Sequence, residues 1–302
     1  MAFPKKISIE KFSATDGVLL YGLLALPERA RKKAVVVHVH GLASSFYGGS
    51  AVEELSRRIT SEGIAFFSMQ TRGSYTIESF DRTKGKNRTS FFAGGALERF
   101  EDCVYDIEGA IRFLSARGYN SIILEGHSTG CQKILYYHSK RKNKMVKGLI
   151  LLAAGDDYNV SRVSLGKRFG AAVSDAKKAE RKEEHTMMPP KYLPPWMMLS
   201  ASRFLSTSDP KRPESQILNY MADRMKYVAG ICVPALAVFG TDDMYMDAAG
   251  LPAVTAAEKL RKNSKRIETV VIRGADHGFH GRRRKLTNAV AEWIQRTLRG
   301  NA

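Results

Sequence analysis

The stretch Ile122-Ile123-Leu124-Glu125-Gly126-His127-Ser128-Thr129-Gly130-Cys131 constrains this chain more than any other. A β-branched apolar run ends in Gly-x-Ser-x-Gly, and a helical pattern from Gln132 to Ser139 follows at once. Gly-x-Ser-x-Gly alone is common by chance; a strand before it and a helix after it give it meaning. So sharp a turn forces its central residue into a strained backbone conformation, and glycines two before and two after let neighbouring chain approach. The strain lifts the Ser128 hydroxyl clear of a sheet. It also sets Ser128 at the positive end of a helix, where backbone N–H groups can stabilise a developing oxyanion. The competing reading is an ordinary glycine-flanked turn; the flanking pattern favours Ser128 as a nucleophile.

The rest of the chain repeats the same alternation. Ile7–Phe12 and Val18–Leu26 flank Asp16-Gly17, a hairpin signal. Ala34–His40 reads as a buried strand opening into Gly41-Leu42-Ala43-Ser44-Ser45, and Ala51–Ser61 has helical spacing with Gly63 as a stop. Ile64–Gln70 is a strand ending in Thr71-Arg72-Gly73. Ser74–Glu98 is polar, basic and of little periodicity, so it reads as a loop, ordered over a site or mobile. Phe100–Arg117 puts Val104, Ile107, Ile111 and Leu114 on one helical stripe closed by Gly118, and Val146–Ala154 is another apolar strand. The rhythm then breaks. Residues 155–230 hold a charged helix (about Leu165–Glu184), a Met/Pro/Trp-rich stretch (Met187–Leu199) and a helix near Glu214–Val228. It resumes with strands Pro234–Phe239 and Arg266–Ile272 and helices Pro252–Lys262 and Arg284–Leu298. The expected architecture is one α/β domain over 1–302: a mostly parallel sheet, helices on both faces, and a helical cap inserted at 155–230.

Composition narrows the function classes. At 302 residues and 44% hydrophobic the chain can bury a large core, so disorder is excluded. No apolar run approaches the ~20 residues of a membrane span, and Met1–Glu10 lacks the apolar core of a secretory signal. Cys103, Cys131 and Cys232 are scattered without metal spacing, as for reduced, partly buried thiols in a cytoplasmic protein; Cys131 reads as a small packing residue. Net charge is +18, and Lys259–Ala302 carries twelve Lys/Arg against three Asp/Glu, hence +9. Such a balance permits contact with nucleic acid, an anionic membrane or an anionic substrate, or is simply a solvated basic surface. Aromatic residues interleaved with the basic ones, as a nucleic-acid module would show, are missing, so no nucleic-acid partner is expected.

A serine hydroxyl needs a general base within hydrogen-bond reach, itself oriented by a carboxylate. Among seven histidines His277 stands out, in Gly274-Ala275-Asp276-His277-Gly278-Phe279 directly after a strand, at the same sheet edge as Ser128. His138 and His185 have helical, charged surroundings and read as solvated. His38 and His40 share a strand face, but no third ligand has fitting spacing, so neither a metal nor a cofactor is expected. For the carboxylate, Phe239-Gly240-Thr241-Asp242-Asp243 ends a strand at that edge. The order Ser, Asp, His suits such a sheet, with Asp243 preferred, Asp242 the alternative and Asp157 a third. Any of them could instead be a turn or helix cap.

At these residues the chain resembles the α/β-hydrolase superfamily over nearly its whole length outside the insertion. The marks are His40-Gly41, Arg72-Gly73, Gly126–Gly130, Gly240-Thr241-Asp242-Asp243 and Gly274-Ala275-Asp276-His277. The wording Gly-His-Ser-Thr-Gly-Cys-Gln is also similar to a little-characterised subgroup related to siderophore esterases. The resemblance implies an eight-stranded sheet with its second strand antiparallel. It also implies a triad of Ser128, His277 and Asp243, the acid falling three residues after Gly240, and an oxyanion hole from the amides of Leu42 and Thr129. Glu125 departs from the pattern, standing where the family has an apolar residue; beside the His38–His40 strand it is expected to be a partnered carboxylate. Met187, Met188, Trp196, Met197 and Met198 crowd one cap segment, either as loop packing or as an adaptable apolar wall over the substrate pocket.

The expected function is hydrolysis of a small-molecule ester by acyl transfer, with the scissile bond (ester, amide or other) left open by the fold. Arg282–Lys285, close behind His277, point to a substrate carrying carboxylate or phosphate; an anionic or bulky ester is the expected substrate. The alternative is a binding or receptor protein of the same fold that hydrolyses slowly or not at all. Oligomeric state is not readable.

Overall fold

The computed structural model describes residues 4, 6–30, 33–48, 51–183 and 185–300. In chain order the elements are β1 (Ile7–Ser13), β2 (Leu19–Ala25), β3 (Ala34–Val39), α1 (Val52–Ser61), β4 (Ala65–Met69), β5 (Glu78–Lys84), β6 (Asn87–Ala93), α2 (Cys103–Ser115), β7 (Ser121–His127), α3 (Thr129–Arg141) and β8 (Val146–Leu152). They continue as α4 (Asp157–Leu165), α5 (Phe169–Lys182), α6 (Ala201–Ser208), α7 (Pro213–Ile217), α8 (Lys226–Ala229), β9 (Ala235–Gly240), α9 (Met244–Ala248), α10 (Ala253–Asn263), β10 (Ile267–Ile272) and α11 (Arg283–Gly300).

Eight strands form one sheet in the order β1-β2-β4-β3-β7-β8-β9-β10. β2 is antiparallel to both β1 and β4, and every other pairing is parallel. Strands buried on both faces read as continuous apolar runs, and Val35, Val36 and Val37 of β3 show it: all are fully buried, but alternate residues enter different cores. One core lies under α2, α3 and α10, the other under α1 and α11. The parallel strands end at one edge, and the loops that follow them carry Gly41, Ser128, Asp157, Asp243 and His277.

Glu125 has the partner the sequence suggested. It lies opposite His38 in the β3–β7 register, and His38 Nδ1 and Glu125 Oε2 are 2.8 Å apart with both side chains fully buried. His40 instead bonds the Gly41 carbonyl through Nδ1 at 2.8 Å and accepts from the Thr71 amide through Nε2 at 3.2 Å. Burial, with Lys133 nearby, lowers its pKa to about 3, so the ring is neutral.

Arg72-Gly73 acquires a physical meaning. The Arg72 guanidinium is buried and meets Asp106 at 2.8 Å, Asp16 at 2.9 Å and Asp102 at 3.2 Å, joining β4, the first hairpin and α2. Gly73 leaves room for a carboxylate: a Cβ there would lie 2.1 Å from Glu98 Oε2. Arg72→Met should destabilise the fold by about 3–5 kcal/mol, because it strands fully buried Asp106 beside two further carboxylates. The loss, read from urea midpoints, should shrink at pH 5, where carboxylates freed of the cation take up protons more readily. A cost under about 1 kcal/mol, the range of an exposed pair, would refute this role.

Four expectations need correction. Residues 74–98 are not a loop throughout: β5 and β6 form a two-stranded antiparallel ribbon turned at Gly85 (φ 61°), with Phe80 and Phe91 rings 6.1 Å apart. Phe80 and Ala93 are the buried residues of that ribbon, so charged and polar neighbours hide its period. The helix expected near Glu214–Val228 is two short ones, α7 and α8, because Tyr220 is drawn inward: its amide bonds Asp156 and its hydroxyl bonds the Ala154 carbonyl. The charged helix begins at Phe169 rather than Leu165, after a separate α4; Glu184, its expected end, lies outside the described residues. His138 is buried, accepting from the Cys232 amide at 3.3 Å, whereas His185 is exposed.

The inserted segment has its own small apolar cluster, including Leu165, Ala172, Ala176, Met188, Tyr192, Leu199, Phe204 and Leu205. Ile217, Leu218, Tyr220, Met225 and Val228 belong instead to the main core. That part of the expected insertion at 155–230 therefore packs with the body of the fold.

Candidate active site

Ser128 occupies the turn between β7 and α3 with φ 54° and ψ −125°, a conformation that side-chain-bearing residues rarely adopt. The two glycines of the motif explain each other. A Cβ on Gly126 would lie 2.5 Å from Gly130 backbone, and one on Gly130 would lie 2.1 Å from the Val39 carbonyl oxygen. Gly41 closes against the serine from β3, where a Cβ would sit 3.0 Å from Ser128 Cβ. Thr129 is the first residue of α3, so its N–H has no acceptor within the helix. Leu42 follows Gly41, lines the same cavity and packs its side chain on the cap cluster.

His277 sits on the loop after β10. That loop is held by the Asp242 amide bonding the Ala275 carbonyl at 2.9 Å, and Gly240 is required there because a Cβ would lie 2.2 Å from the same oxygen. His277 Nδ1 donates to Asp243 Oδ2 at 2.8 Å, while Asp243 Oδ1 accepts the Tyr245 amide and caps α9. Asp242 takes the Thr241 hydroxyl and does not pair with the histidine. The Asp243 side chain is 1% exposed and that of His277 18%. An Nδ1–H held by a buried carboxylate leaves Nε2 as the basic nitrogen.

Two neighbours of His277 escaped sequence reasoning. His127, the residue before the serine, donates from Nε2 to the His277 carbonyl at 2.9 Å, with ring centroids 5.0 Å apart. Burial, then the proximity of His277, lowers its pKa to about 3, so it is a neutral strut. The Tyr245 ring stands 4.5 Å from His277. The only signals for either were sequence neighbours: one before Ser128, two after Asp243.

Ser128, His277, Leu42 and Thr129 line one cavity of about 550 Å³ together with residues of α4, α6 and the 191–199 stretch. Trp196, Met197 and Met198 line it too, with Leu165, Leu193 and Phe204. Met187 and Met188 are not among its lining residues: Met188 is buried in the cap cluster and Met187 bridges to Ser200 on the outside. Arg282–Lys285 also lie elsewhere; Arg282, Arg284 and Lys285 border a separate surface groove with Arg273, and Arg283 pairs with Glu54.

Asp157 faces the cavity and accepts from Gln132 Nε2 at 2.8 Å. Burial, reinforced by Glu214, pushes its carboxyl up from 3.8 to about 7. Between those values the unfolded chain binds fewer protons than the folded one, so this group makes stability fall as pH rises from about 4 to 7. Asp157→Asn should flatten that slope and leave the variant more stable than wild type at pH 8 by up to a few kcal/mol. Urea melts at pH 5 and pH 8 check it; parallel losses in both proteins would disprove it.

A strand-flanked serine turn, a histidine loop and a mostly parallel eight-stranded sheet define an α/β-hydrolase fold. The chain belongs to the family described as "Protein of unknown function (DUF1749)", whose model matches residues 21–299. Among solved structures it is similar to the siderophore hydrolase EstB from Aspergillus fumigatus, at 17% identity and TM-score 0.69, covering 97% of this chain and 98% of that one. It is also similar to Est1E from Butyrivibrio proteoclasticus with bound ferulic acid (15%, TM-score 0.65, 95% and 98%). A third is the monoacylglycerol lipase of Paleococcus ferrophilus (18%, 0.62, 92% and 99%). At these identities the likeness is one of fold. No curated protein matches the sequence. Among the described residues no helix is long and apolar enough to cross a membrane.

Proposed function

We propose that the protein is a serine hydrolase cleaving carboxylic esters of small molecules through an acyl-enzyme. One observation carries the reading: a strained, cavity-facing serine shares its cavity with a histidine whose Nδ1 is held at 2.8 Å by a buried aspartate. His277 Nε2 takes the Ser128 proton as Oγ attacks the carbonyl carbon, and the Leu42 and Thr129 amides receive the oxyanion. The same histidine then protonates the departing alcohol, and water attacks the acyl-enzyme with His277 again as base, freeing the acid. Asp243 keeps the imidazole in the required tautomer and stabilises its charged form.

The similar structures include a siderophore hydrolase and a monoacylglycerol lipase, which supports ester chemistry. The three free cysteines suit a reducing compartment, in keeping with a cytoplasmic enzyme. The anionic substrate suggested by Arg282–Lys285 loses support, because that segment borders another groove. The test is labelling with a fluorophosphonate, wild type beside Ser128→Ala, followed by aryl esters of increasing chain length. Wild type should label and the variant should not. A well-folded wild type that fails to label would give the place to the binding-protein reading.

A further inference from the structure

The ester reading leaves the one carboxylate among the cavity's lining residues without a part. Asp157 opens α4, directly after β8, and lines the same cavity as Ser128 and His277. Around it lie four buried ionisable side chains brought from different places: Glu98 between β6 and α2, Lys133 of α3, Glu214 of α7, and Arg203 of α6, which lines the cavity as well but is held by Glu214. Lys133 pairs with Glu98 at 2.7 Å. Arg203 grips both carboxylate oxygens of Glu214, Nη2 to Oε1 at 2.9 Å, and approaches Glu98 at 3.6 Å. Two cations are thus matched by two carboxylates, and Asp157 is the fifth charge.

What reaches Asp157 directly is the neutral amide of Gln132. Arg203 and His277 favour its ionised form, while burial, Glu214 and Asp156 oppose it more strongly. At neutral pH the wall is therefore either uncharged, with a proton on Asp157, or one negative charge in excess. The exposed rim cations Arg168 and Lys191 sit in solvent, where their fields are screened, and do not offset a charge inside the cavity. Ionised, such a wall is complemented by a ligand group that donates a hydrogen bond, and a ligand carboxylate would meet a charge of its own sign in a desolvated site. Protonated, Asp157 keeps a carbonyl oxygen that still accepts from a hydroxyl.

We propose that Asp157 is the specificity-determining residue of the cavity and selects an ester that carries a hydrogen-bond donor, hydroxyl or ammonium, over one ending in methyl or carboxylate. The inference rests on the hydrolase reading above and adds the substrate class. An apolar wall at Leu165, Leu193 and Phe204, with Asp157 the one carboxylate among the lining residues, suits a mainly aliphatic chain with one polar end.

The test uses umbelliferyl esters of four linear acids of matched length, ending in methyl, hydroxyl, ammonium or carboxylate. A second set carries the same end groups on the alcohol half of a common acid. In one of the sets the hydroxyl or ammonium ester should exceed the methyl ester in kcat/KM by about tenfold or more, with the carboxylate ester below methyl. Preference for ammonium would mark the ionised wall, and preference for hydroxyl alone the neutral one. In Asp157→Asn, which is isosteric and can still accept from Gln132, the donor preference should fall below about twofold. A methyl or carboxylate ester that is best in both sets overturns the proposal, as does a preference unchanged in Asp157→Asn. Those failures would leave fluorophosphonate labelling of Ser128 intact. Loss of the hydrolase reading would instead show as no labelling and no turnover of any ester, and would end both.

Discussion

Alanine at position 128 should lower turnover of an activated ester by about six orders of magnitude, the scale set by removing a triad nucleophile. The fold should not suffer, since alanine bears the same left-handed φ of 54° as serine and keeps the Ser128 backbone bonds to Leu152 and Cys131. Glycine offers a sharper comparison. Ser128→Gly should be as inactive as Ser128→Ala but more stable by about 1–3 kcal/mol, because glycine relieves a conformation that other residues adopt only under constraint. Equal melting points for the two variants would mean that the turn is not under strain. An alanine variant within about tenfold of wild type would remove Ser128 from the chemistry.

Asparagine at position 243 should cost about four orders of magnitude in kcat with little change in substrate affinity. The amide oxygen can still accept from the Tyr245 amide and cap α9, so the local fold survives. Its NH₂ group would then face His277 Nδ1 and donate where the carboxylate accepts. That forces Nδ1 to accept and puts the ring proton on Nε2, the nitrogen that must receive the serine proton. A loss under about tenfold would show that tautomer control is not what Asp243 supplies. The same substitution at Asp242, which holds only the neighbouring Thr241 hydroxyl, should leave kcat within a factor of about two.

Much of this arrangement was legible because it is built from local rules. Ser128, Asp243 and His277 each follow an apolar strand through a glycine-bearing turn, and a parallel sheet brings such turns to one edge. Glu125 was legible for another reason: a charge inside a fully apolar strand must find a partner, and the adjacent strand offered His38. What stayed hidden depends on distant chain. The Glu78–Ala93 ribbon buries few apolar residues, so no period stands out. Helix α7 stops early because Asp156 and Ala154, some sixty residues away, capture Tyr220. Met187 and Trp196 are both large and apolar and nine residues apart, yet only Trp196 reaches the cavity, and nothing local distinguishes them. The four charges around Asp157 come from three helices and the connection between β6 and α2, and each alone reads as an ordinary surface residue.

Arg203 and Ser200 tie the inserted segment to the body of the fold. The cap has its own apolar cluster, as an exchangeable module would. Yet Ser200 donates its amide to the Ala96 carbonyl, and Arg203 reaches toward Glu98, whose other partner, Lys133, lies on the helix that starts beside Ser128. Grafting in a foreign roof would leave Glu98 and Glu214 short of a cation within the hydrolase body. The inserted segment and the helix after Ser128 are therefore coupled through Glu98, so wholesale replacement of that segment should destabilise the fold more than substitutions along Trp196–Met198.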